Sequence, residues 1–492
     1  MPAKHVRFVP LLTAIALLAW RASAAETLAL PAKAQPAAPA VVEPSELFKK
    51  ILELNRIQEP ELDVPRAQQA FADLIAKARD PIEKAATPAE KIAALNKALL
   101  ADRQVSYLSN IYWRDASLAA SLLRNKGNCL STSTLYLLAG EALHLPIHMV
   151  LIPHHAFVRW DDGQTRINIE TTNDGACISD NDYLNVQTRT DPEDAVRLRW
   201  GQSLEPNEAL AELVSVAAQH RLGQNDIPAA LELLDRAIKL APSRTDIWLN
   251  RCAVLLDIPE HHQEALRELL TLVRVAYRPA PTVATGALEL LAHDAAARGD
   301  HAQERTFLLQ AFVKAPRPMQ VSVLSSLAFC LRALRDYQGG VRYMELAVAL
   351  EPEDNAMLYN LAILQKNSGD LAGSLKTIDR ALALNPESWN LQILKAGYSW
   401  AAGKKDEAQA LYAKLQRPRA EEEFWEIMQA WYFAATQQRD KFYPQFQRSL
   451  ETAFSPQIFE WIDQDPDLDY LRGDEQFKTL VAKHRERLVK KQ

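Results

Sequence analysis

Residues 352–386 read PEDNAMLYNLAILQKNSGDLAGSLKTIDRALALNP and hold two amphipathic helical segments that are separated at Gly369 and end before a proline. Apolar and small residues recur within each segment at the helical spacing of three and four. The arrangement returns after about 34 residues, so that Pro352 matches Pro386 and Gly369 matches Gly403. A fixed period of this length predicts stacked helix pairs, with small residues where two helices touch.

The period covers several units and begins near residue 211. It resembles the tetratricopeptide repeat (TPR), and the resemblance implies an α-solenoid with a protein or peptide ligand on its concave face. We expect repeats over residues 205–420 and a helical C-terminal capping segment over residues 421–492. Equivalent positions in successive units are Leu324, Leu327, Ala328, Gly340, Met344 and Ala347, then Leu358, Leu361, Ala362, Ser374, Ile378 and Ala381, then Ala396, Ala408 and Tyr412.

Composition agrees with a mainly helical chain. Only 15 of the 492 residues are Gly, about 3% against an average of about 7%. Four Cys in this length are too few for a disulfide scaffold. The net charge of −6 argues against a nucleic-acid-binding protein.

The N-terminus carries an export pattern. Residues 1–24 combine a basic head at Lys4 and Arg7, an apolar run, and an A-x-A cleavage site, as in a secretory signal peptide. We therefore expect an exported, periplasmic protein; the alternative is a membrane anchor formed by an uncleaved signal. Residues 25–44 are rich in Ala and Pro and predict a linker. No later stretch reaches the roughly 18 apolar residues of a membrane helix, so no further span is expected.

Residues 45–200 read as an α+β domain. Three amphipathic helical segments come first, and the third begins at a capping box formed by Thr87 and Glu90. A helix is predicted over residues 130–143. Strands follow over residues 147–152, 155–160 and 166–171.

Three residues of this domain match the needs of nucleophilic cysteine catalysis. The chemistry requires a thiolate, an imidazole that shares its proton, and a carboxylate that orients the imidazole. Cys129 lies at the start of the predicted helix, where the helix dipole favours a thiolate. His155 and Glu170 lie on neighbouring antiparallel strands, within reach of each other.

Other residues near this triad have open roles. Asn128 and Ser131 flank Cys129, and we expect them to support an oxyanion site at the helix start. His154 is the alternative base, because alternation places His154 and His155 on opposite faces of a strand. Cys177 is close enough in sequence to Glu170 to suggest an inactivating disulfide with Cys129.

The sequence contains no motif that supports nucleotide or metal chemistry. It contains no phosphate-binding loop of the G-x-x-x-x-G-K-[ST] type, no G-x-G-x-x-G motif and no Cys or His spacing typical of zinc sites. We expect neither a cofactor nor a metal.

Residues of about 60 to 190 resemble the transglutaminase-like superfamily, and in particular its bacterial SirB-type branch, which joins such a domain to TPR repeats. The resemblance is carried by residues 91–96, the turn at 124–131, Leu135-Tyr136, Leu145-Pro146 and the stretch 155–159. It implies a papain-like cysteine fold. It also places the family's Cys on Cys129, its His on His155 and its acidic residue on Glu170, where the usual pattern is Asp followed by Pro.

Two hypotheses follow. In the first, the protein is an exported thiol-dependent acyl-transfer enzyme that cleaves or transamidates amide or peptide bonds, and the repeats bind proteins. In the second, it is a non-catalytic TPR interaction scaffold with a pseudoenzyme domain.

Overall fold

The computed structural model describes residues 45–108, 113–152, 155–183, 201–276, 280–416, 422–452, 459, 462–463 and 465–489. The chain divides into two compact units, one that runs to Leu290 and includes Pro316–Pro318, and one that comprises Leu291–Ala315 and the chain from Met319 onward. The predicted signal peptide, the predicted linker and His154 lie outside the described residues.

The first unit opens with helices and then turns to short strands. Its N-terminal elements are α1 (Glu46–Gln58), α2 (Val64–Lys84), α3 (Pro88–Leu99), β1 (Ser106–Tyr107), α4 (Leu118–Leu123), β2 (Lys126–Gly127), α5 (Cys129–Ala142), β3 (Ile147–Ile152), β4 (His155–Asp161), β5 (Arg166–Ile169) and α6 (Asp180–Asp182). The predicted α+β class is confirmed, and the capping box of Thr87 and Glu90 starts α3 as expected.

Strands β3, β4 and β5 form an antiparallel sheet in that order. Val158 of β4 pairs with Ile169 of β5, and both side chains are fully buried in the core of the unit. The sequence predicted that the third strand runs to residue 171, but β5 ends at Ile169. Glu170 instead forms an isolated bridge with Ala176, because the chain turns back on itself there.

Helix α5 packs against β3 and β4 and is buried along most of its length. Gly140 makes this contact possible, because a Cβ at that position would lie 2.6 Å from Cβ of Ile147. The close approach brings the N-terminus of α5 to the edge of the sheet where β4 begins.

After the strands, the described part of the chain is helical, and most of its helices follow one another in pairs. The pairs are α7 (Pro206–Gly223) with α8 (Ile227–Leu240), α9 (Thr245–Leu256) with α10 (His262–Ala276), α11 (Pro281–Ala297) with α12 (His301–Lys314), α13 (Arg317–Ala333) with α14 (Tyr337–Leu350), α15 (Asn355–Asn367) with α16 (Leu371–Leu384), α17 (Trp389–Ala401) with α18 (Lys405–Ala413) and α19 (Glu422–Ala435) with α20 (Arg439–Thr452). A 3₁₀ helix (Pro466–Leu471) and α21 (Glu475–Val489) follow. The predicted TPR-like repeat region is therefore confirmed.

Two sequence features set the repeat. An Asp side chain caps the second helix of a pair at Asp226, Asp300, Asp336 and Asp370, where it accepts a hydrogen bond from a backbone N–H. Small residues at equivalent positions are buried between helices, as predicted: Ala328, Ala362, Ala396, Ser374 and Ala408 have no exposed surface. Within the described ranges, no helix has both the length and the apolar character that crossing a bilayer requires.

A matched pair of substitutions tests the small positions. Ala362 of α15 is fully buried, whereas Ala372 of α16 in the same helix pair is exposed. We expect Ala362→Leu to lower the free energy of unfolding by about 1–3 kcal/mol, because the larger side chain overpacks the contact. Ala372→Leu is expected to change it by less than about 0.5 kcal/mol. Equal effects in urea unfolding of the two variants would contradict the repeat packing.

Candidate functional site

Cys129 is the first residue of α5, and its side chain is partly exposed. The preceding Asn128 caps the helix, since its side-chain oxygen accepts hydrogen bonds from the backbone N–H groups of Leu130 and Ser131, both at 3.1 Å. The hydroxyl of Ser131 accepts in return from the backbone N–H of Asn128 at 3.0 Å. A helix N-terminus carries partial positive charge, and the thiol of Cys129 lies at that end of α5.

Close packing holds the turn before Cys129. A Cβ on Gly127 would lie 2.5 Å from the Ser131 hydroxyl and 3.2 Å from the methyl group of Thr132. Only glycine leaves room for β2 to run this close beneath the first turn of α5.

His155 and Glu170 meet at the edge of the sheet. The β4–β5 register pairs Arg159 with Asn168, so that His155, four residues before Arg159, shares a face with Glu170, two residues after Asn168. Nε2 of His155 lies 2.6 Å from Oε2 of Glu170. The two side chains are 19% and 3% exposed, so their hydrogen bond is shielded from water.

The thiol of Cys129 completes the arrangement. Burial lowers the pKa of His155, but hydrogen bonds to Cys129 and Glu170, together with the charges of both groups, outweigh burial and raise the pKa to about 9. Since Nε2 faces Glu170, the other ring nitrogen, Nδ1, is left to exchange a proton with the thiol. Helix α5, strand β4 and the end of β5 thus bring Cys129, His155 and Glu170 together.

The carboxylate of Glu170 is held at both oxygens. Oε1 accepts from the backbone N–H of Thr172 at 2.9 Å and from its hydroxyl at 2.6 Å. Oε2 accepts from the hydroxyl of Tyr183 at 2.7 Å as well as from His155. Burial raises the pKa of Glu170, but the hydrogen bond and charge of His155 and the bonds from Thr172 and Tyr183 prevail and lower it to about 2.

Tyr183 is fixed by its own contacts. Its ring stacks on Phe157 with centroids 4.0 Å apart and an interplanar angle of 5°, and the residue is 1% exposed. Burial, followed by the hydrogen bond to Glu170 and the charge of that carboxylate, raises the pKa of Tyr183. Its hydroxyl therefore stays protonated and donates to Glu170.

A buried arginine holds the segment that carries Tyr183. Arg159 is 1% exposed, and its guanidinium bonds to Asn168 at 2.6 Å and to Asp180 of α6 at 2.5 Å. Asn168 also donates to Asp180, at 2.7 Å. Removing the carboxylate of Asp180 would leave the buried charge of Arg159 without its ion pair, which is costly. This network keeps α6 against the sheet next to the site.

Side chains also join the helix that carries Cys129 to the turn that carries Glu170. The hydroxyls of Thr132 and Thr171 lie 2.8 Å apart. Asn96 of α3 donates to the backbone oxygen of Gly175 at 3.0 Å and accepts from the hydroxyl of Tyr136 at 2.9 Å. The separation of Cys129 from Glu170 is therefore set by packing on both sides of the turn.

The structure also gives the positions of the other residues that the sequence predicted near the site. Asn128 and Ser131 use their side chains to cap α5, so among the first backbone N–H groups of the helix the one at Cys129 is left to face a ligand. His154 lies outside the described residues. Cys129 and Cys177 are both free thiols, and Cys177 is exposed. In the part of the chain that the structure describes, no cluster of His, Cys, Asp or Glu is arranged to hold a metal ion.

Comparison with known proteins agrees with this geometry. The family model of the transglutaminase-like superfamily matches residues 65–204. Residues 65–204 are a transglutaminase-like domain. The match contains the whole arrangement of Cys129, His155 and Glu170. No curated protein matches the chain.

Solved structures that resemble the chain are repeat proteins. A tetratricopeptide repeat protein from Parabacteroides merdae is 14% identical, with 51% of this chain and 96% of that chain covered at a TM-score of 0.39. YrrB, described as a TPR protein with an unusual peptide-binding site, is 15% identical, with 39% and 92% covered at 0.29. A thermophilic TPR protein from Thermus thermophilus is 21% identical, with 38% and 98% covered at 0.28.

Several residues that hold the site together were not predicted from the sequence. Thr172 follows Glu170 closely, and a hydroxyl two residues after an acid is a local signal for such a bond. Tyr183 gives no comparable signal, because only the fold brings it back to Glu170. The brace between Asn96 and Gly175 likewise joins residues far apart in sequence.

The His155–Glu170 pair predicts a pH window of stability. The pKa of His155 lies above its ordinary 6.5, so its contribution is complete below 6.5 and is lost as pH rises through about 9. The pKa of Glu170 lies below its ordinary 4.5, so its contribution is complete above 4.5 and is lost as pH falls through about 2.

We expect Glu170→Gln to lower the free energy of unfolding by about 3 kcal/mol between pH 4.5 and 6.5, and by less outside that range. Urea unfolding at a series of pH values measures the difference. In a His155→Gln background, the pH dependence between 6.5 and 9 should disappear. A loss that is the same at every pH would mean that the pair is not ionised.

Tyr183→Phe isolates one hydrogen bond, because the ring that stacks on Phe157 is kept. Without this donor the pKa of Glu170 rises, so the stability that its charge supplies is lost at a higher pH on acidification. The acid limb of the thermal unfolding profile should therefore shift to higher pH. Tyr470→Phe is the control, because the hydroxyl of Tyr470 donates to the backbone oxygen of Ala434. An identical shift in both variants would exclude a specific effect on Glu170.

Proposed function

We propose that the protein is a thiol-dependent acyl-transfer enzyme acting on amide or peptide bonds. The observation that carries the proposal is the 2.6 Å hydrogen bond between His155 and Glu170, whose side chain is 3% exposed, together with the influence of Cys129 on the pKa of His155. In this arrangement Cys129 is the nucleophile, His155 is the acid and base, and Glu170 is a positioning residue that holds the imidazole. The proposal includes no cofactor and no metal.

The first half of the reaction forms an acyl-enzyme. Sγ of Cys129 attacks the carbonyl carbon of the substrate, and the carbonyl oxygen takes up the negative charge. In this proposal the backbone N–H of Cys129, at the start of α5, donates to that oxygen. The tetrahedral intermediate then collapses, the C–N bond breaks, and His155 gives its proton to the leaving amine. The product is a thioester on Cys129.

The second half restores the enzyme. Water or an amine attacks the thioester carbon, and His155 takes the proton of the attacking group. The C–S bond breaks, and the departing sulfur is stabilised again by the imidazolium of His155. Water gives net hydrolysis, whereas an amine gives transamidation. Both outcomes use the same three residues. The proposal therefore names the class of reaction and covers both water and an amine as the acceptor.

The repeats and the N-terminus complete the proposal. Stacked helix pairs offer extended surfaces for protein or peptide ligands, so we assign the repeat array to protein binding. The signal-like residues 1–24 support export, with the periplasm as the compartment and an uncleaved signal anchor as the alternative.

A second candidate is a non-catalytic interaction scaffold. The observation that favours it is that helical repeats make up the larger part of the chain, from α7 onward. In this reading the buried His155–Glu170 pair only stabilises the domain. The two candidates differ in the reactivity of Cys129.

Site-resolved alkylation of the wild-type chain with iodoacetamide separates them. Cys177 is an exposed thiol outside the triad and serves as an internal control. A free thiol reacts as thiolate near its pKa of about 8.5. At pH 6 we expect Cys129 to be alkylated at least about tenfold faster than Cys177, because its proton resides on His155.

The advantage of Cys129 should fall above pH 9, where His155 loses its proton. His155→Ala should remove most of this rate advantage and leave the alkylation rate of Cys177 unchanged. The enzyme would be excluded if Cys129 and Cys177 react at equal rates at pH 6 in the wild type and His155→Ala changes neither rate. The non-catalytic scaffold would then be the remaining candidate.

A further inference from the structure

The C-terminal region carries a short acidic segment with a defined place on the repeats. Residues 465–472 read DPDLDYLR and form the 3₁₀ helix Pro466–Leu471. Asp465 caps this helix, because its side chain accepts from the backbone N–H of Asp467 at 2.8 Å. We call residues 465–472 the acidic segment.

Asp467 binds two different repeat helices. One carboxylate oxygen pairs with the ammonium group of Lys366 on α15. The other accepts from the indole N–H of Trp431 on α19 at 3.0 Å. The side chains of Lys366 and Asp467 are only 16% and 18% exposed, so this contact is largely protected from solvent.

Contacts on both sides of Asp467 continue along the repeats. Asp469 pairs with Arg335, the residue two positions after α13, at 3.3 Å. The hydroxyl of Tyr470 donates to the backbone oxygen of Ala434 near the end of α19, at 3.1 Å. Lys366, the partner of Asp467, also lies over the ring of Tyr398 on α17, with Nζ 5.9 Å from the ring centroid.

Helices α13, α15, α17 and α19 are the first helices of four successive pairs. The acidic segment contacts Lys366 and Trp431 in the C-terminal halves of α15 and α19, and Arg335 just after the end of α13. Basic side chains from separate repeats, an indole N–H and a backbone carbonyl all bind it. This is how an array of repeats binds an extended ligand, with each repeat supplying one or two contacts.

Leucine side chains anchor the same segment. Leu468 and Leu471 have no exposed surface and belong to the hydrophobic cluster of the second unit. They are three residues apart and therefore lie on one side of the 3₁₀ helix. The acidic segment thus presents two leucines to the apolar part of the surface and carboxylates to its basic part.

We propose that the acidic segment is an internal ligand of the repeat array, and that the same surface takes an acidic partner peptide with two leucines three positions apart. This rests on the protein-binding role proposed for the repeats and names the partner. A peptide that repeats the contacts of Asp467, Asp469, Leu468 and Leu471 replaces them one for one. The tethered segment has the advantage of a high effective concentration, so the partner binds only when the segment is released.

Peptide binding to full-length variants tests the proposal. The probe is a fluorescein-labelled peptide with the sequence of residues 462–473, measured by fluorescence anisotropy. Asp467→Ala removes the contacts to Lys366 and Trp431 from the internal segment. Asp463→Ala is the matched control, because Asp463 pairs with Arg485 of α21 instead.

We expect Asp467→Ala to bind the peptide at least about tenfold more tightly than the wild type and Asp463→Ala. A peptide with Ala at the two leucine positions should lose this binding. Equal affinity in all three proteins would overturn the proposal. Dimerisation of Asp467→Ala without peptide binding, detected by light scattering, would assign the surface to a second copy of the chain and overturn it too.

Hydrogen exchange on the wild-type protein gives a readout that does not depend on a variant. Excess unlabelled peptide should raise the exchange of the chain's own residues 465–472 at least about tenfold, while α15 keeps its protection. Unchanged exchange would show that the segment is a permanent part of the core. Cys129 alkylation is followed on the same samples, so that failure of the thiol chemistry and failure of the peptide site are seen separately.

Discussion

The buried hydrogen bond between His155 and Glu170 is the interaction on which the transglutaminase-like domain depends. At 2.6 Å, with the carboxylate almost entirely buried, it is favourable only when both groups are charged and all acceptor positions of the carboxylate are used. Thr172 and Tyr183 use the positions that His155 leaves. A partly satisfied pair of this kind would cost more than an apolar replacement. The cost explains why a second layer of hydrogen bonds surrounds so small a site.

This constraint extends to elements that touch no reactive atom. The turn after β5 has to present Glu170 and Thr172 together, and it is held by Thr132 from α5 and by Asn96 from α3. Gly127 and Gly140 let α5 approach its neighbours closely enough for Cys129 to face the imidazole. Packing outside the site thus sets the positions of Cys129, His155 and Glu170.

The repeats follow a different logic. Each helix pair needs only its neighbours, so local features decide the structure: an aspartate cap at the start of the second helix and small residues at the helix contacts. The stability of the array is approximately the sum of the contributions of its repeats and of the interfaces between neighbouring repeats. The acidic segment is the exception, because it gathers contacts from three helix pairs at once. A segment that binds several repeats through contacts distant in sequence resembles a ligand in an occupied binding site.

The sequence by itself determined the classes of structure and the approximate bounds of the helix and strands that carry the site. Periodicity placed the repeat helices, capping residues such as Thr87 marked helix starts, and the order of helix and strands singled out Cys129, His155 and Glu170. These signals are local, since they depend on spacing along one helix or one strand. Tertiary structure decided the rest. It showed that β5 ends before Glu170, that Asn128 and Ser131 cap α5, and that Tyr183 returns to the carboxylate. It also placed Asp467 between α15 and α19. Contacts between residues distant in sequence follow from how the faces of several elements meet, and no single stretch of sequence records that.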